Sequence, residues 1–577
     1  MDSKKNIYNI VGCILAIIIA TVICCISIRI WEIDLTVMPG EIGGDGTLAC
    51  FLLKSIQQNG IKGVLVNHMV GMPDASYLID VPFFDVNLVL LIYIVNLLMR
   101  NYIVTYYLVY ILSYSLVALT MYLLLSRFEL RYWVKVMFSV LFAVAPYHFM
   151  RSLGHITLSN YATIPVGLYL AFVILEDEFS ILTKVDGHRR INWKSTGSLL
   201  AAVFVGNGQL YYAFFLLIVM AVALLMKMIK GKTFKPLLHE GMIIYTVCAF
   251  VLLGIAPKVI FGMVYGENTL AAVRVPMEAE LYGMKIIQLL LPVSYSRVPF
   301  LAKMNQEYNV SGVTVTENAT SSLGIIASCC FIFVCGWFIY SFISKKKRGD
   351  LSVRLDFLSL GTLTLVLYCT IGGLGAIFNY LVTPQVRALN RASILIACMV
   401  LTAGALIVDR IRKKTFSAVV CMVVMVLGLY DQVMIYASGW QDQAQVSQNA
   451  YETFFAEVEA NVEEGSMIYE LPFMNFPESP TQNRMLDYTP FAGYLFTDTL
   501  RWSYGGIVGR SSAAAALYID EGKSADFVAG IEDAGFAGVY IDSYGYADTG
   551  EEIIAFYRSL GLEEIVSSDQ RFYFFKL

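Results

Sequence analysis

The chain alternates long apolar runs with short basic loops, and this alternation constrains the fold more than any other feature. Runs of about 20 apolar residues match the hydrocarbon thickness of a bilayer. Hydrophobic residues make up 57% of the 577 positions and charged residues 15%, and the mean hydropathy is +0.64. These values are typical of a protein with several membrane-spanning helices and exclude an ordinary soluble domain.

The apolar runs predict an all-α polytopic membrane bundle of about 11 spans. The first run is too long for the core of a signal peptide and no small-residue cleavage site follows it, so we expect it to remain as a span. Residues 88–99 are too short to cross and are predicted to lie along the interface. The run 195–226 counts as two crossings, because Gly206-Asn207-Gly208 interrupts it. The other predicted spans are residues 7–31, 102–125, 133–149, 156–175, 239–265, 323–342, 357–378, 394–408 and 416–436.

Lysines and arginines indicate the orientation of the bundle. Lys4 and Lys5 precede the first span, which by the positive-inside rule places the N-terminus in the cytoplasm. The basic run from Lys345 to Arg348 then also lies inside. Two long loops are predicted to lie outside the cytoplasm, the first loop (residues 32–85) and the second loop (residues 266–322).

The chain changes character after the last apolar run. From Gly439 onward there are 22 acidic and seven basic residues and no cysteine. The segments SMIYELP, GVYID and RFYFFKL are typical of strands, whereas SADFVAGIEDAG and TGEEIIAFYRSLG are typical of helices that end at glycine. We therefore predict a membrane domain over residues 1–437 and a small extracytoplasmic α/β domain over residues 438–577.

Composition and spacing exclude several classes of function. The acidic C-terminal domain argues against nucleic acid as a partner. The 11 cysteines lie almost entirely in apolar runs. Neither a CxxC motif nor a Cys/His cluster occurs, so no disulfide framework or zinc site is predicted. The sequence identifies no cofactor, although Glu41 and Asp45 could share a divalent cation.

The acidic residues of the first loop are the first candidates for chemistry. Glu41 and Asp45 lie in GEIGGDGT, where glycines let the backbone turn tightly and bring a carboxylate close to a substrate. A carboxylate at the mouth of a membrane domain could act as a base. Alternatively, Asp45 caps a helix that starts near Thr47. Asp80 and Asp85, further along the loop, could line the same site or serve as turn and cap residues.

Cationic side chains occur at the predicted outer turns. Arg151 lies with His148 and His155 in PYHFMRSLGH, and Arg387 and Arg391 lie in TPQVRALNRAS. Guanidinium groups at that depth are expensive unless they meet an anion, and bidentate contact with phosphate is a common reason to keep one. The alternatives are that they extend to lipid head groups or pair with Asp80 or Asp85.

Two further sets of residues allow a functional or a structural interpretation. In EAELYGMKIIQLLLP of the second loop, four side chains at helical spacing could line a donor or acceptor site or belong to an amphipathic helix on the bilayer. These are Glu278, Glu280, Tyr282 and Lys285. In YLFTDTLRWSYGG, Tyr494, Asp498, Trp502 and Tyr504 could stack on sugar rings or form the core of the C-terminal domain.

The motifs together resemble a known family. An acid-bearing first loop, PFFD before an interfacial helix, PYHFMRSLGHITLSNYATIP, NGQLYYAFF and VRALNRAS resemble polytopic bacterial glycosyltransferases of the GT-C superfamily. That superfamily includes protein O-mannosyltransferases and lipid A aminoarabinose transferases. The resemblance implies transfer of a sugar from a polyprenyl-phosphate or polyprenyl-diphosphate donor to an acceptor outside the membrane, with Asp45 as general base and Glu41 as second choice.

The functional hypothesis from the sequence is therefore a membrane glycosyltransferase of the bacterial cytoplasmic membrane. Its partners would be a polyprenyl-phosphate-linked sugar and a cell-envelope glycan, lipid or protein acceptor. Arg151, Arg391 and Arg387, with His155 and His148, would bind the donor phosphate. A transporter or flippase of lipid-linked saccharides is one alternative, and a noncatalytic envelope assembly factor is another.

Overall fold

The fold is described from a computed structural model, which covers residues 2–81, 85–185, 188–344, 349–510 and 513–577. Most of the PFFD motif and the basic run from Lys345 to Arg348 lie outside the described residues.

Helices dominate the first 432 residues. Within the described residues, ten of them, some continuous with short neighbouring turns, are long and apolar enough to cross a membrane. The main helices are α1 (Asp2–Ser27), α2 (Gly44–Asn59), α3 (Val86–Met99), α4 (Tyr102–Ser126), α5 (Tyr132–Ala143), α6 (Pro146–Arg151), α7 (Ile156–Ser159), α8 (Thr163–Glu176), α9 (Trp193–Gly206), α10 (Leu210–Gly231), α11 (Lys235–Leu238), α12 (Gly241–Tyr265), α13 (Glu278–Leu281), α14 (Ile286–Leu290), α15 (Pro299–Ser311), α16 (Ile325–Ile343), α17 (Asp350–Cys369), α18 (Leu374–Leu381), α19 (Ser393–Val408) and α20 (Lys414–Gln432).

The prediction of a helical membrane bundle is confirmed, and the protein is an integral membrane protein. The eleventh predicted crossing corresponds to α9, which has only 14 residues because the chain turns at Asn207 and Gly208. A helix of that length extends about 21 Å, less than the hydrocarbon core. Helix α3 is also short, as its sequence predicted.

The C-terminal region folds around a five-stranded sheet, so the prediction of a small α/β region is confirmed. The strand order is β4-β3-β5-β7-β6. Strand β3 pairs in parallel with β4 and β5, whereas β7 pairs antiparallel with β5 and β6. A separate hairpin, β1 with β2, joins α8 to α9. The strands are β1 (Leu182–Val185), β2 (His188–Ile191), β3 (Met467–Leu471), β4 (Arg501–Trp502), β5 (Phe536–Asp542), β6 (Glu563–Val566) and β7 (Phe572–Lys576), and the remaining helices are α21 (Asp442–Asn461), α22 (Ala492–Phe496), α23 (Ala513–Leu517), α24 (Ala525–Asp533) and α25 (Glu551–Ser559).

The first loop packs against the C-terminal region. Phe51 of α2 stacks on Phe491 with ring centroids 4.0 Å apart. The buried ammonium of Lys54 donates to the carbonyls of Leu495 and Thr497 at 3.1 and 2.8 Å. Residues 69–72 of the same loop hydrogen-bond along the edge of β4, because Trp502 N–H donates to the Met69 carbonyl at 2.9 Å and Met72 N–H to the Trp502 carbonyl at 3.0 Å. These contacts cover a sheet edge that would otherwise be open.

The alternation of helices gives the bundle two different ends. We call the end that carries the first loop, the second loop, the α6–α8 turn and the C-terminal region the site end. The opposite end carries Arg127, Arg131 and the loop between α19 and α20, and we call it the basic end. Helix α12 borders lipid, since its apolar side chains, such as Met263 at 80% exposure, are mostly uncovered by protein.

Candidate active site at the end of the bundle

Asp45 is held in the first turn of α2. The helix begins at Gly44, and its N-cap residue Gly43 makes no side-chain cap. Thr47 Oγ1 accepts from Gly43 N–H at 2.7 Å, so the side chain of Thr47, rather than that of Asp45, satisfies the start of the helix. The alternative in which Asp45 caps a helix starting near Thr47 is therefore wrong, and its carboxylate is available for another contact.

That contact is with His155. The Nδ1 atom of His155 lies 3.0 Å from Asp45 Oδ2, and both side chains are partly exposed, at 37% and 53%. Both residues line a cavity of about 260 Å³ together with Glu41. The two acids and the histidine singled out from separate parts of the sequence thus face one cavity.

Two arginines share one carboxylate beside this cavity. Arg151 Nη1 lies 2.5 Å from Glu317 Oε1, and Arg391 Nε lies 3.0 Å from the same oxygen. The side chain of Arg151 is only 1% exposed, and its Nη2 donates to Asn390 Oδ1 at 3.0 Å. Arg151 also lies over the ring of Tyr147 and Arg391 over the ring of Tyr211, at 5.1 and 4.6 Å.

The Asp45–His155 pair and the arginine cluster, which consists of Arg151 and Arg391 around Glu317, act on each other electrostatically. Burial opposes ionisation of Glu317, but the charges of Arg391 and Arg151 outweigh it and hold its pKa at about 2. Burial likewise opposes ionisation of Asp45, yet the hydrogen bond and charge of His155, with the charge of Arg391, hold the pKa of Asp45 below its usual range. Both carboxylates are therefore ionised at neutral pH. Arg391 and His155 contribute to the pKa shifts of both carboxylates, so Asp45 and the arginine cluster are close enough to influence each other's charge.

Arg387 lies in a second layer next to the arginine cluster. It forms an ion pair with Glu278 and lies over the ring of Tyr282 at 5.0 Å. The Tyr282 carbonyl accepts from Asn390 Nδ2 at 2.9 Å, and Asn390 in turn contacts Arg151. These residues support the cluster from behind.

Other predicted site residues have structural partners instead. Glu280 accepts from Gly372 N–H at 2.9 Å, and Lys285 donates to the Val313 carbonyl. Asp80 forms an ion pair with Arg510 at 2.6 Å, and Asp85 caps α3 by accepting from Leu88 N–H at 2.9 Å. The structure therefore does not place these four side chains in the cavity.

The structure also contradicts the prediction for His148. This residue is fully buried, with Nε2 2.8 Å from Ser113 Oγ and Nδ1 2.8 Å from the Ala143 carbonyl. Its ring stacks on Tyr114 at 3.5 Å. Because protein groups occupy both ring nitrogens, the structure places His148 in the core and away from the cavity.

The aromatic residues of the C-terminal region are core residues as well. Trp502 and Tyr494 are 1% exposed and Tyr504 is 4% exposed, so the interpretation as a sugar-stacking surface is wrong. Asp498 lies 3.1 Å from Lys54 Nζ.

Two acidic residues near the cavity were missed from the sequence. Glu317 lies in TENATSS and joins the two arginines, and the only available signal was an acid shortly before an apolar run. Asp487 comes from the C-terminal region, where its carbonyl accepts from Gly44 N–H at 2.7 Å. Burial, followed by the charges of Asp45 and Glu478, raises the pKa of Asp487 to about 6. No local pattern marks Asp487, because its position depends on docking against the first loop.

The described residues contain no group of three or more His, Cys, Asp or Glu side chains placed to hold a metal ion. The possible divalent cation between Glu41 and Asp45 thus gains no third ligand of these types from the described part of the chain.

A family model described as "Domain of unknown function (DUF6311)" matches residues 87–433. The chain belongs to this family. The matched part of this DUF6311 protein covers the bundle from α3 to the end of α20 and includes Arg151, His155, Glu317 and Arg391. No curated protein matches the chain in sequence.

Solved structures to which the chain is similar include an oligosaccharyltransferase, an arabinofuranosyltransferase and ArnT. The oligosaccharyltransferase AglB from Archaeoglobus fulgidus, in complex with an inhibitory peptide and a dolichol-phosphate, is 11% identical with a TM-score of 0.46, over 97% of this chain and 74% of that chain. ArnT from Cupriavidus metallidurans, bound to undecaprenyl phosphate, is 10% identical with a TM-score of 0.40, over 98% and 97%. The arabinofuranosyltransferase AftD from Mycobacteria is 11% identical with a TM-score of 0.41, over 94% and 37%.

Proposed function

We propose that this DUF6311 protein transfers a sugar from a polyprenyl-phosphate or polyprenyl-diphosphate carrier to a cell-envelope acceptor outside the cytoplasm. The observation that carries the proposal is that an ionised, partly exposed carboxylate lies within the electrostatic influence of a cluster of guanidinium groups. Asp45 supplies the first, and Arg151 and Arg391 supply the second.

The chemistry of glycosyl transfer needs both parts. An acceptor hydroxyl oxygen attacks the anomeric carbon, while the bond from that carbon to the phosphate oxygen breaks and its electron pair leaves on the phosphate. The proton of the hydroxyl passes to Asp45, which acts as general base. Because Asp45 is ionised at neutral pH, the base is ready before the acceptor binds.

The hydrogen bond between His155 and Asp45 positions the base. It fixes one carboxylate oxygen and leaves the other free to face the cavity. Glu41 lines the same cavity and is the second choice for this role.

The arginine cluster stabilises the leaving phosphate. Negative charge grows on the phosphate as the glycosidic bond breaks, and fixed guanidinium groups stabilise that charge without reorganising. Glu317 neutralises one of the two arginines in the absence of the carrier and holds both side chains in place. Tyr147 and Tyr211 provide rings beneath the two guanidinium groups.

The basic residues of the loops support an extracytoplasmic site. Lys227, Lys230, Lys232 and Lys235 lie at the basic end, as do Arg410, Arg412, Lys413 and Lys414. The positive-inside rule assigns that end to the cytoplasm. The site end, with the cavity and the C-terminal region, then faces outward, where a cell-envelope acceptor is available.

Two variants of the purified full chain test separate parts of the proposal. With a panel of undecaprenyl-phosphate-linked sugars and a cell-envelope extract as acceptor, Asp45→Asn is expected to reduce transfer by about 10²–10⁴-fold, because a general base contributes that much. Binding of undecaprenyl phosphate itself should be retained. Arg391→Gln is expected to weaken that binding by about tenfold or more, because a charge-assisted contact to phosphate is lost.

Asp74→Asn is the matched control, since Asp74 is an exposed carboxylate of the same loop and does not line the cavity. It should transfer sugar like the unchanged protein. Full transfer by Asp45→Asn, with normal elution and thermal stability, would contradict the role of the base. Carrier movement across vesicles without any transfer by the unchanged protein would favour a flippase.

A further inference from the structure

A second and larger cavity lies at the basic end, far from the candidate active site. Its volume is about 520 Å³. Arg131 lines it at the start of α5, and Arg151 lies at the end of α6, so the two residues mark opposite ends of one 20-residue apolar segment. Such a segment extends about 30 Å, which is the thickness of a hydrocarbon core. The two cavities thus belong to opposite membrane surfaces.

Most of the charged side chains that line this cavity are cationic. Five basic residues face two acidic ones, an excess of three positive charges. The basic residues are Arg131, Arg354, Arg410, Arg412 and Lys414, and the acidic residues are Glu129 and Asp409.

Two of the arginines are fixed by protein partners. Arg131 Nε lies 2.8 Å from Asp409 Oδ1, and its Nη1 donates to the Ile411 carbonyl at 3.1 Å. Arg354 Nε lies 2.6 Å from Glu176 Oε1, and its guanidinium lies 4.9 Å from the centre of the Phe128 ring. These contacts hold the walls of the cavity in a defined shape.

The other three cations have no protein partner of this kind. Within the part of the chain that the structure describes, the side chains of Arg410, Arg412 and Lys414 make no hydrogen bond or ion pair. Arg410 and Arg412 are exposed and flank Ile411 in the turn between α19 and α20. A rigid wall therefore meets three charges that are free to bind an anion.

Apolar surface adjoins the charged lining. Phe128, Leu130, Leu351, Leu406 and Ile411 complete the cavity wall. Helix α20 continues from Lys414 with an exposed apolar face, in which Phe416 is 59% and Met422 is 58% exposed. A ligand with a phosphate at the cavity and acyl chains along α20 would satisfy both surfaces, because basic pockets between helices at this depth suit anionic lipid head groups.

We propose that this cavity binds the phosphate of an anionic phospholipid head group. Arg410, Arg412 and Lys414 contact the phosphate oxygens, while Arg131 and Arg354, paired with Asp409 and Glu176, hold the shape of the wall. The site is separate from the proposed transfer reaction, and its occupant is a structural or regulatory lipid of the opposite membrane surface.

The test compares lipid binding by the full chain in nanodiscs. One set contains phosphatidylcholine alone, and the other contains roughly four parts phosphatidylcholine to one part phosphatidylglycerol. Native mass spectrometry after release counts retained phosphatidylglycerol. The double variant Arg410→Gln/Arg412→Gln is expected to retain phosphatidylglycerol with an affinity lower by about tenfold or more, since two basic contacts to an anionic lipid are removed.

The matched control is Arg189→Gln/Arg190→Gln, which removes the same charge from the exposed hairpin strand β2. It should retain phosphatidylglycerol like the unchanged protein. Equal loss in both double variants would overturn the proposal, because general surface attraction would explain the binding. Complete displacement of the lipid by millimolar inorganic phosphate would also overturn it, since the site would then bind the free anion. Thermal unfolding of each variant in phosphatidylcholine confirms that the fold is retained.

Discussion

At the scale of single residues, the charge state of each carboxylate follows from its neighbours. Asp45 and Glu317 both lie near arginine or histidine, and both pKa values fall. Asp487 is partly buried and lies near two other acids, and both effects raise its pKa to about 6. One small region thus contains carboxylates whose pKa values are shifted in opposite directions, which is typical of functional sites.

The raised pKa of Asp487 predicts a pH dependence of stability. Its folded-state pKa of about 6 exceeds the usual value of 3.8, so the folded state binds the proton more tightly than the unfolded chain. The associated stability is present at low pH and is lost as the pH rises through about 6. Asp487→Asn should therefore unfold at a higher temperature than the unchanged protein at pH 7.5 and at a similar temperature at pH 4.5.

Thermal unfolding in detergent across this pH range measures the difference. Asp74→Asn serves as control, because Asp74 is exposed in the first loop, and it should follow the unchanged protein at every pH. A constant offset for Asp487→Asn at all pH values would show that the substitution acts through packing rather than through ionisation.

At the scale of elements, the start of α2 decides where the base lies. Gly43 has φ +139° and Gly44 has φ +66°, and both values favour glycine. A Cβ atom on Gly43 would lie 2.7 Å from the Cβ of Leu486. Glycine at this position therefore lets the helix begin here, against the C-terminal region, without strain.

Substitution of these glycines distinguishes close packing from helix propensity. Gly43→Ala should destabilise the protein by about 1–3 kcal/mol, because the backbone conformation is nearly exclusive to glycine and the new methyl group meets Leu486. Gly46→Ala is the control in the same turn, since no atom lies within 4 Å of its added Cβ. It should be neutral or stabilise by up to about 1 kcal/mol.

Chemical denaturation gives the free energies, and limited proteolysis of the first loop shows whether its docking is lost. Equal stability of the two alanine variants would mean that Leu486 moves aside and that the conformation of Gly43 is not strained.

At the scale of the whole molecule, three distant parts of the chain join around one buried carboxylate. Asp80 of the first loop is 3% exposed and pairs with Arg510 of the C-terminal region. Arg510 also donates to the Tyr265 carbonyl at 2.8 Å and to the Gly266 carbonyl at 2.6 Å, at the end of α12. A cation at the C-terminus of a helix is favourable because the helix dipole is negative there.

Removal of the Arg510 guanidinium should therefore weaken the contacts among the first loop, the end of α12 and the C-terminal region. Arg510→Gln is expected to lower the free energy of unfolding by about 3–5 kcal/mol, because it leaves the Asp80 carboxylate buried without its cation. The double variant Asp80→Asn/Arg510→Gln should recover part of this loss. Arg558→Gln is the control, as its pair with Glu564 is exposed and contributes at most about 1 kcal/mol.

Calorimetry or denaturant unfolding of these variants measures the coupling between Asp80 and Arg510. Additive effects of the two single substitutions would show that the pair does not hold the C-terminal region to the first loop and α12.

The sequence alone determined the membrane-spanning helices, the short α3, three of the five strands of the C-terminal sheet (β3, β5 and β7) and the set of charged residues at loop positions. These depend on run length and periodicity, which are local properties of the chain. It also indicated Asp45, Arg151 and Arg391 as candidates, but it could not choose their partners. The sequence allows Arg151 to pair with Asp80 or Asp85, whereas the structure pairs it with Glu317.

Only the tertiary structure decided which of these residues meet. Glu317 and Arg391 are 74 residues apart in the chain. Gly44 and Asp487, which share a backbone hydrogen bond, are separated by most of the length of the chain. It also decided that His148 belongs to the core and that Asp80 holds Arg510. The physical reason is that burial and ion pairing depend on how helices and loops pack, whereas spans and strands follow from short stretches of sequence.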